Sequence, residues 1–256
     1  MQKLYKNKDW LYMMYWVKML SPYQIAELIG VGKTTIWRWL HSFNILIRSL
    51  SEVNHLRRGN HCNLSQRAKE WIDGELLGDG SIFSLSPYSA RFSYGSKYLE
   101  YAQYISDTLN SFEIEQIGKI KERKNKKLGN YTYHYASCYY AELLPIRKRW
   151  YPNGKKIVPR DLILTPLVCR QWYIGDGCLE HPKRQKPNIY LSTYGFPVDD
   201  VEWLREKLNK LGFKTTRQLS RNIIFISAHS TQDFLNYIGE CPIECYRYKW
   251  DYQRAK

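Results

Sequence analysis

A chain of 256 residues with 44% hydrophobic and 25% charged residues has the composition of a folded globular protein, which excludes a disordered chain and a membrane-embedded one. Its 39 Lys and Arg against 24 Asp and Glu leave a net charge of +15, a surplus that points to a polyanionic partner. The six cysteines form neither CxxC pairs nor the close framework of a small secreted domain, so they are read as reduced thiols.

The chain opens on a helical pattern carried by Leu11, Tyr15, Lys18 and Met19. Its apolar run from Trp10 to Leu20 contains Lys18 and has no small-residue cleavage site, which argues against a signal peptide. No stretch reaches the roughly 18 apolar residues of a membrane span. Ser21-Pro22 then reads as a helix start, with Ser as cap and Pro in the first turn. Ala26, Gly30 and Ile36 follow at the spacing of a helix-turn-helix: a small residue for close helix approach, a glycine for the turn, and an apolar residue that locks the next helix. Residues 1–46 are therefore predicted to form a helix-turn-helix DNA-binding domain whose outer face carries Lys33, Thr34, Thr35 and Arg38. Gly30 to Thr35 also resembles the end of a phosphate-binding loop, but Glu27 stands where that loop needs its first glycine. Residues 47–62, with Arg48, Arg57 and Arg58 and no apolar period, read as a basic linker suited to a phosphate backbone.

From residue 63 the pattern runs twice. Each half begins with an apolar helix ending in Gly-Asp-Gly. Two strands follow, near 81–86 and 90–95 in the first half and near 178–180 and 188–194 in the second. Amphipathic helices are predicted over 97–111 and 197–211, then strand pairs near 117–124 with 131–139 and near 213–219 with 222–227, then a closing helix. The fold class is α+β, an αββαββα unit duplicated over 63–160 and 161–256 with two antiparallel sheets.

The two anchors are Trp71-Ile72-Asp73-Gly74-Glu75-Leu76-Leu77-Gly78-Asp79-Gly80 and Cys169-Arg170-Gln171-Trp172-Tyr173-Ile174-Gly175-Asp176-Gly177. A lone Gly-Asp-Gly marks a turn, but two that each close an apolar helix, 97 positions apart, resemble the signature helices of the LAGLIDADG homing endonucleases. Gly74, Gly78 and Gly175 would let two such helices pack almost backbone to backbone. That would bring Asp79 and Asp176 close enough to share divalent cations, and hard oxygen donors of this kind suit Mg²⁺.

The resemblance extends to Trp150-Tyr151-Pro152-Asn153-Gly154-Lys155-Lys156, to Leu164-Thr165-Pro166 and to Tyr246-Arg247-Tyr248-Lys249-Trp250. It implies a monomer that binds double-stranded DNA and no membrane. The implied chemistry is phosphodiester hydrolysis with two or three Mg²⁺ ions, Mn²⁺ being able to substitute. Asp79 and Asp176 would be ligands together with the carbonyls of Gly78 and Gly175, and Lys156 and Lys249 would be the catalytic lysines. Ser93 and Ser192 stand where the family often has a longer water-ordering residue. The DNA-binding strands would offer Arg91, Lys119, Lys121, Arg123, Lys183, Arg184, Lys186, Arg217 and Arg221. The resemblance implies a cytoplasmic, organellar or nucleoid location, wherever the target DNA lies. The alternative is a non-catalytic regulator or an intron maturase on the same fold, although a pure binder has no reason to keep both aspartates and both lysines.

Overall fold

The computed structural model describes residues 3–49, 60–124, 129–181 and 186–252. Arg57, Arg58, Lys183 and Arg184 lie outside the described residues. The chain divides into two compact units, Met1–Gly59 and Asn60–Lys256.

In the first unit, helix α1 (Lys8–Tyr12) continues as a π-helical turn over Met13–Val17 and packs with α2 (Pro22–Ile29) and α3 (Lys33–Ser42). A full capping box starts α2: the Ser21 hydroxyl accepts from the Gln24 amide while the Gln24 side chain accepts from the Ser21 amide. Gly30 closes it in the left-handed conformation, φ 68°, which turns the chain sharply into α3. Ile25, Ala26, Ile36 and Leu40 are buried with Leu11, Tyr15 and Ile45 in one small core. Lys33, Thr34 and Arg38 are exposed and Thr35 half-buried. Arg48, read from sequence as a linker cation free to meet phosphate, is instead buried. Its guanidinium stacks on Tyr15 and donates to the carbonyls of Met19 and Leu20, where the chain leaves its helix.

The second unit runs α4 (Gln66–Leu77), β1 (Ser81–Ser86), β2 (Ser89–Ser96), α5 (Leu99–Ser111), β3 (Lys121–Lys124), β4 (Tyr131–Ala136) and α6 (Leu143–Trp150). It then repeats as α7 (Pro166–Asp176), β5 (Gly177–Glu180), β6 (Asn188–Leu191), α8 (Val198–Lys210), β7 (Thr215–Gln218), β8 (Ile223–Ile226) and α9 (Ala228–Ile238), and a 3₁₀ turn spans Glu244–Lys249. This is the duplicated αββαββα order, and the antiparallel sheets have the equivalent orders β1-β2-β4-β3 and β5-β6-β8-β7. Residues assigned from sequence to the linker join this unit: Asn60 bridges to Tyr140, and His61 pairs with Glu142 at 2.9 Å.

Alternation decides which strand residues look inward. In the first sheet Ile82, Phe92, Tyr94 and Tyr135 are buried against the helices, so their neighbours Ser81, Arg91, Ser93 and His134 face outward. In the second, Ile189, Leu191, Ile224 and Ile226 are fully buried, and the register sets Cys178, Tyr190, Phe225 and Thr216 side by side on the outer face. One apolar core runs through both halves.

The halves meet where α4 packs on α7. Ser65 caps α4 at the Ala68 amide, and Thr165 caps α7 at the Val168 amide with Pro166 in the first turn. A Cβ on Gly74 would stand 2.7 Å from both the Gln171 Cβ and the Val168 carbonyl oxygen. One on Gly175 would stand 3.2 Å from the Gly78 Cα and 3.4 Å from the Asp79 nitrogen. The helix ends therefore approach backbone to backbone, and at Gly74 no side chain fits without a shift. Gly74→Ala is expected to cost about 1–3 kcal/mol through overpacking, read as a lower midpoint in thermal unfolding; an unchanged midpoint would refute this contact.

Candidate active site

The C-terminal ends of α4 and α7 carry Asp79 and Asp176. Gly80 follows the first, its amide donating to the Glu75 carbonyl at 2.8 Å, and a Cβ there would lie 2.6 Å from that oxygen. Gly177 follows the second, where a Cβ would collide with the Tyr173 ring and carbonyl. Both glycines let the chain leave its helix tightly and pass straight into β1 and β5, so each aspartate is fixed at the junction of helix and sheet.

The two carboxylates act on each other. Burial pushes the Asp176 carboxyl up to about 7, the negative charge of Asp79 adds to the shift, and Lys156 and Lys249 partly offset it. Those two lysines are placed alike. Lys156 Nζ donates to the carbonyls of Gly78 and Gly80 at 3.1 and 2.9 Å. Lys249 Nζ donates to those of Tyr173, Ile174 and Gly175 at 3.3, 2.6 and 3.4 Å. Each ammonium thus sits on the negative end of its own signature helix, where the last carbonyls lack helical partners. Burial lowers both lysines to about 8, against the upward pull of the aspartates. Lys155 is exposed.

Local structure holds these lysines. Past α6 the chain turns through Gly154, φ 76°, and is tied back by the Ile157 amide to Trp150 and by the Val158 amide to the Asp200 carboxylate. On the other side the Tyr173 hydroxyl donates to the Lys249 carbonyl at 2.6 Å, and Trp250 donates to the Gly239 carbonyl.

The carbonyls of Gly78 and Gly175 each accept a lysine proton and keep a second lone pair. Ser93 lies opposite Ser81 beside Asp79. Ser192 is not its counterpart: the register sets Tyr190 opposite Cys178, the residue equivalent to Ser81, so Tyr190 occupies the Ser93 position and Ser192 lies past the end of β6. The Ser192 amide instead donates to the Asp176 carbonyl at 2.9 Å. The two hairpins are equally long, twelve positions separating Ser81 from Ser93 and Cys178 from Tyr190, so the matching position falls two residues before Ser192.

A concavity of about 530 Å³ opens from Asp79 along the outer face of the first sheet, lined by Arg91, Lys119, Lys121, Arg123 and His134. Lys186 and Arg221 are exposed at strand ends of the second sheet. Arg217, predicted to face DNA, turns the other way. It shares the face of the buried Ile224 and pairs with Glu202 of α8 and with Asn222, so its charge is consumed inside the half.

One residue escaped the sequence reading. Glu75, in the last turn of α4, is buried with its carboxyl pushed up to about 8, first by burial and then by Asp79. The Tyr101 hydroxyl donates to it at 2.7 Å, and Tyr94, whose ring meets that of Tyr101, reaches Asp79 at 3.4 Å. An acid at an apolar position of the signature helix, between Gly74 and Leu76-Leu77, was the available signal. Asp73, two residues earlier, is held by Arg149 and the Trp150 indole instead.

Residues 69–234, which span both aspartates and both sheets, match the LAGLIDADG DNA endonuclease family. The chain belongs to this family. It is 30% identical over 201 residues to the uncharacterized protein MJ1098 of Methanocaldococcus jannaschii, a likeness covering 78% of this chain and 77% of the relative. It is 31% identical over 106 residues to the cytochrome b mRNA maturase bI2 of Debaryomyces hansenii, 40% of this chain and 35% of that one. The homing endonuclease I-WcaI, solved bound to its DNA recognition sequence, shares the fold with a TM-score of 0.62 at 22% identity, covering 82% of this chain and 96% of that one. Among the described residues no helix is long and apolar enough to cross a membrane.

The raised Asp176 carboxyl has a consequence for this LAGLIDADG core. The folded chain holds that proton to about pH 7, whereas the unfolded chain releases it near the ordinary value of 3.8. Above about pH 4 the unfolded state is therefore favoured progressively, and the penalty is complete above pH 7. Asp176→Asn should raise the melting temperature in EDTA at pH 8 by a few degrees, on the order of 2–6 °C, with the gain shrinking as the pH falls toward 4. A variant no more stable than the parent at pH 8 would contradict the crowding of the two acids.

Proposed function

We propose that this chain is a site-specific homing endonuclease that makes a double-strand break in a long, pseudo-palindromic DNA target by metal-dependent phosphodiester hydrolysis. The observation that carries this reading is the paired arrangement at the touching ends of α4 and α7: one aspartate and one carbonyl-bound lysine from each half. A regulator would gain nothing from holding two acids in mutual repulsion.

The donor set fits divalent cations. Asp79 and Asp176 would hold them, with the spare lone pairs of the Gly78 and Gly175 carbonyls; oxygen donors left open to water and phosphate are what Mg²⁺ accepts, and Mn²⁺ would substitute. Bound there, the ions would neutralise the scissile phosphates and lower the pKa of coordinated water. The protein's own contribution lies in the lysines. With proton affinities brought near neutrality, Lys156 and Lys249 can each stabilise charge on a phosphate oxygen or exchange a proton with ordered water. Ser93 would orient water near Asp79, and the Ser192 backbone steadies the second aspartate from behind.

The DNA would lie across the outer faces of both sheets as the chain acts as a monomer, each repeat meeting one half-site. Arg91, Lys119, Lys121 and Arg123 would serve the first, and Lys186 and Arg221 the second. The N-terminal unit, with Lys33, Thr34, Thr35 and Arg38 on α3, would add a helix-turn-helix contact outside the cleavage site, the form in which α3 enters a major groove.

Purified protein with a randomised duplex library and Mg²⁺ tests the reading. Cleavage should require the metal and stop in EDTA, while binding persists. Asp79→Asn should cut at least about a hundredfold more slowly with affinity little changed, and Lys156→Met should lower kcat about 10–100-fold. Tight, specific binding without cutting in Mg²⁺ or Mn²⁺ would instead favour a regulator, and restored splicing of a host intron would favour the maturase role that the likeness to bI2 suggests.

A further inference from the structure

The two halves share a backbone plan but not a surface. In the first sheet the outer face carries cations within the strands: Arg91 in β2, and Lys121 and Arg123 in β3, all lining the concavity that opens from Asp79. Arg91 is steadied between the rings of Phe83 and Tyr139, at 5.8 and 5.2 Å from their centroids, so its guanidinium is held in place before any ligand arrives.

The equivalent face of the second sheet has no cation on its strand residues, all of which are described. The register sets Cys178, Tyr190, Phe225 and Thr216 in a row across all four strands. Tyr190 and Phe225 form a ring pair at 5.2 Å. The one strand cation, Arg217, points to α8 and is paired there. Exposed cations of this half, such as Lys186 and Arg221, stand outside the strands, where they meet phosphates more readily than base edges.

From this asymmetry we infer that the two halves recognise chemically different half-sites. The first reads a guanine-bearing half-site through cations set within its strands. The second reads a thymine-rich half-site through apolar contact with the C5 methyl groups. The inference rests on the proposed DNA-binding role and refines it. Lys or Arg to the N7 and O6 of guanine is the commonest specific major-groove contact, and an apolar or aromatic surface discriminates thymine by its methyl. A Tyr-Phe-Thr row has no donor fork to offer guanine. It can bury methyls that the cationic face would leave against charge. The target would accordingly be palindromic only in its spacing, with one half held tightly by charge and the other selected by shape.

The test uses the full chain and a randomised duplex library selected in EDTA, so that binding is read without cutting. The selected consensus should carry fixed guanines in one half and thymines in the other. Replacing dT by dU, which removes only the methyl, should weaken binding about fourfold per position in the thymine half and little in the other. Replacing dG by 7-deaza-dG should do the reverse. Lys121→Ala with Arg123→Ala should relax base preference only in the guanine half and reduce the salt slope of binding by about 1–2. Tyr190→Thr with Phe225→Thr should relax only the thymine half and leave the slope unchanged. The base-analogue measurements need no variant to fold. Guanine-dominated preference in both halves, or equal sensitivity of both halves to dT→dU, would overturn the inference while leaving the endonuclease reading intact. Selection of no duplex by the parent chain would remove both.

Discussion

Two acidic side chains placed at the touching ends of two helices form the constraint around which the rest of this protein is arranged. Backbone contact at Gly78 and Gly175 brings the chain ends together, and the short exits through Gly80 and Gly177 turn each aspartate at once into a strand. Repulsion between the carboxylates and the burial of Asp176 cost stability, as its raised carboxyl shows. Lysines inserted into the free carbonyls of both helix ends recover part of it. The same lysines lose some of their proton affinity to burial, which sets them within reach of neutral pH. Stability is spent at the centre and recovered in the aromatic and aliphatic core that surrounds it.

Much of this was legible in the sequence because it depends on local, repeated signals. The duplicated Gly-Asp-Gly, each at the end of an apolar run, named the helices, their close approach and the two acids. Strand and helix positions followed from periodicity to within a few residues. Lys156 followed from the likeness of the segment Trp150 to Lys156 to the family, and the structure sets that side chain on the carbonyls of Gly78 and Gly80.

What remained hidden depends on partners far away in the chain. Arg217 counted as a strand cation, yet inward or outward is decided by register, and Glu202 waits on the inner side. Arg48 looked solvated because nothing nearby in sequence announces the Tyr15 ring and the two carbonyls that receive it. Ser192 is a different case: it was matched to Ser93, yet the equal spacing from Ser81 and from Cys178 leads to Tyr190, so that miss needed no distant partner. Glu75 was given no role, although its position in an apolar helix pointed to a buried carboxyl; the Tyr101 hydroxyl that meets it is 26 residues away.

The α4–α7 seam has one further property. Across the pseudo-twofold axis, Gly74 faces Gln171, a residue with no side chain against one that fills the vacancy. Two copies of the first half would leave an empty space there, and two copies of the second would force a pair of amides into room for one. Neither half is self-complementary, so the junction discriminates against symmetric pairing and ties each half to its unlike sibling. Covalent continuity of the chain and the shape of this seam thus enforce the same heterologous assembly, and separation of the halves by gene fission would leave two fragments that prefer each other to themselves.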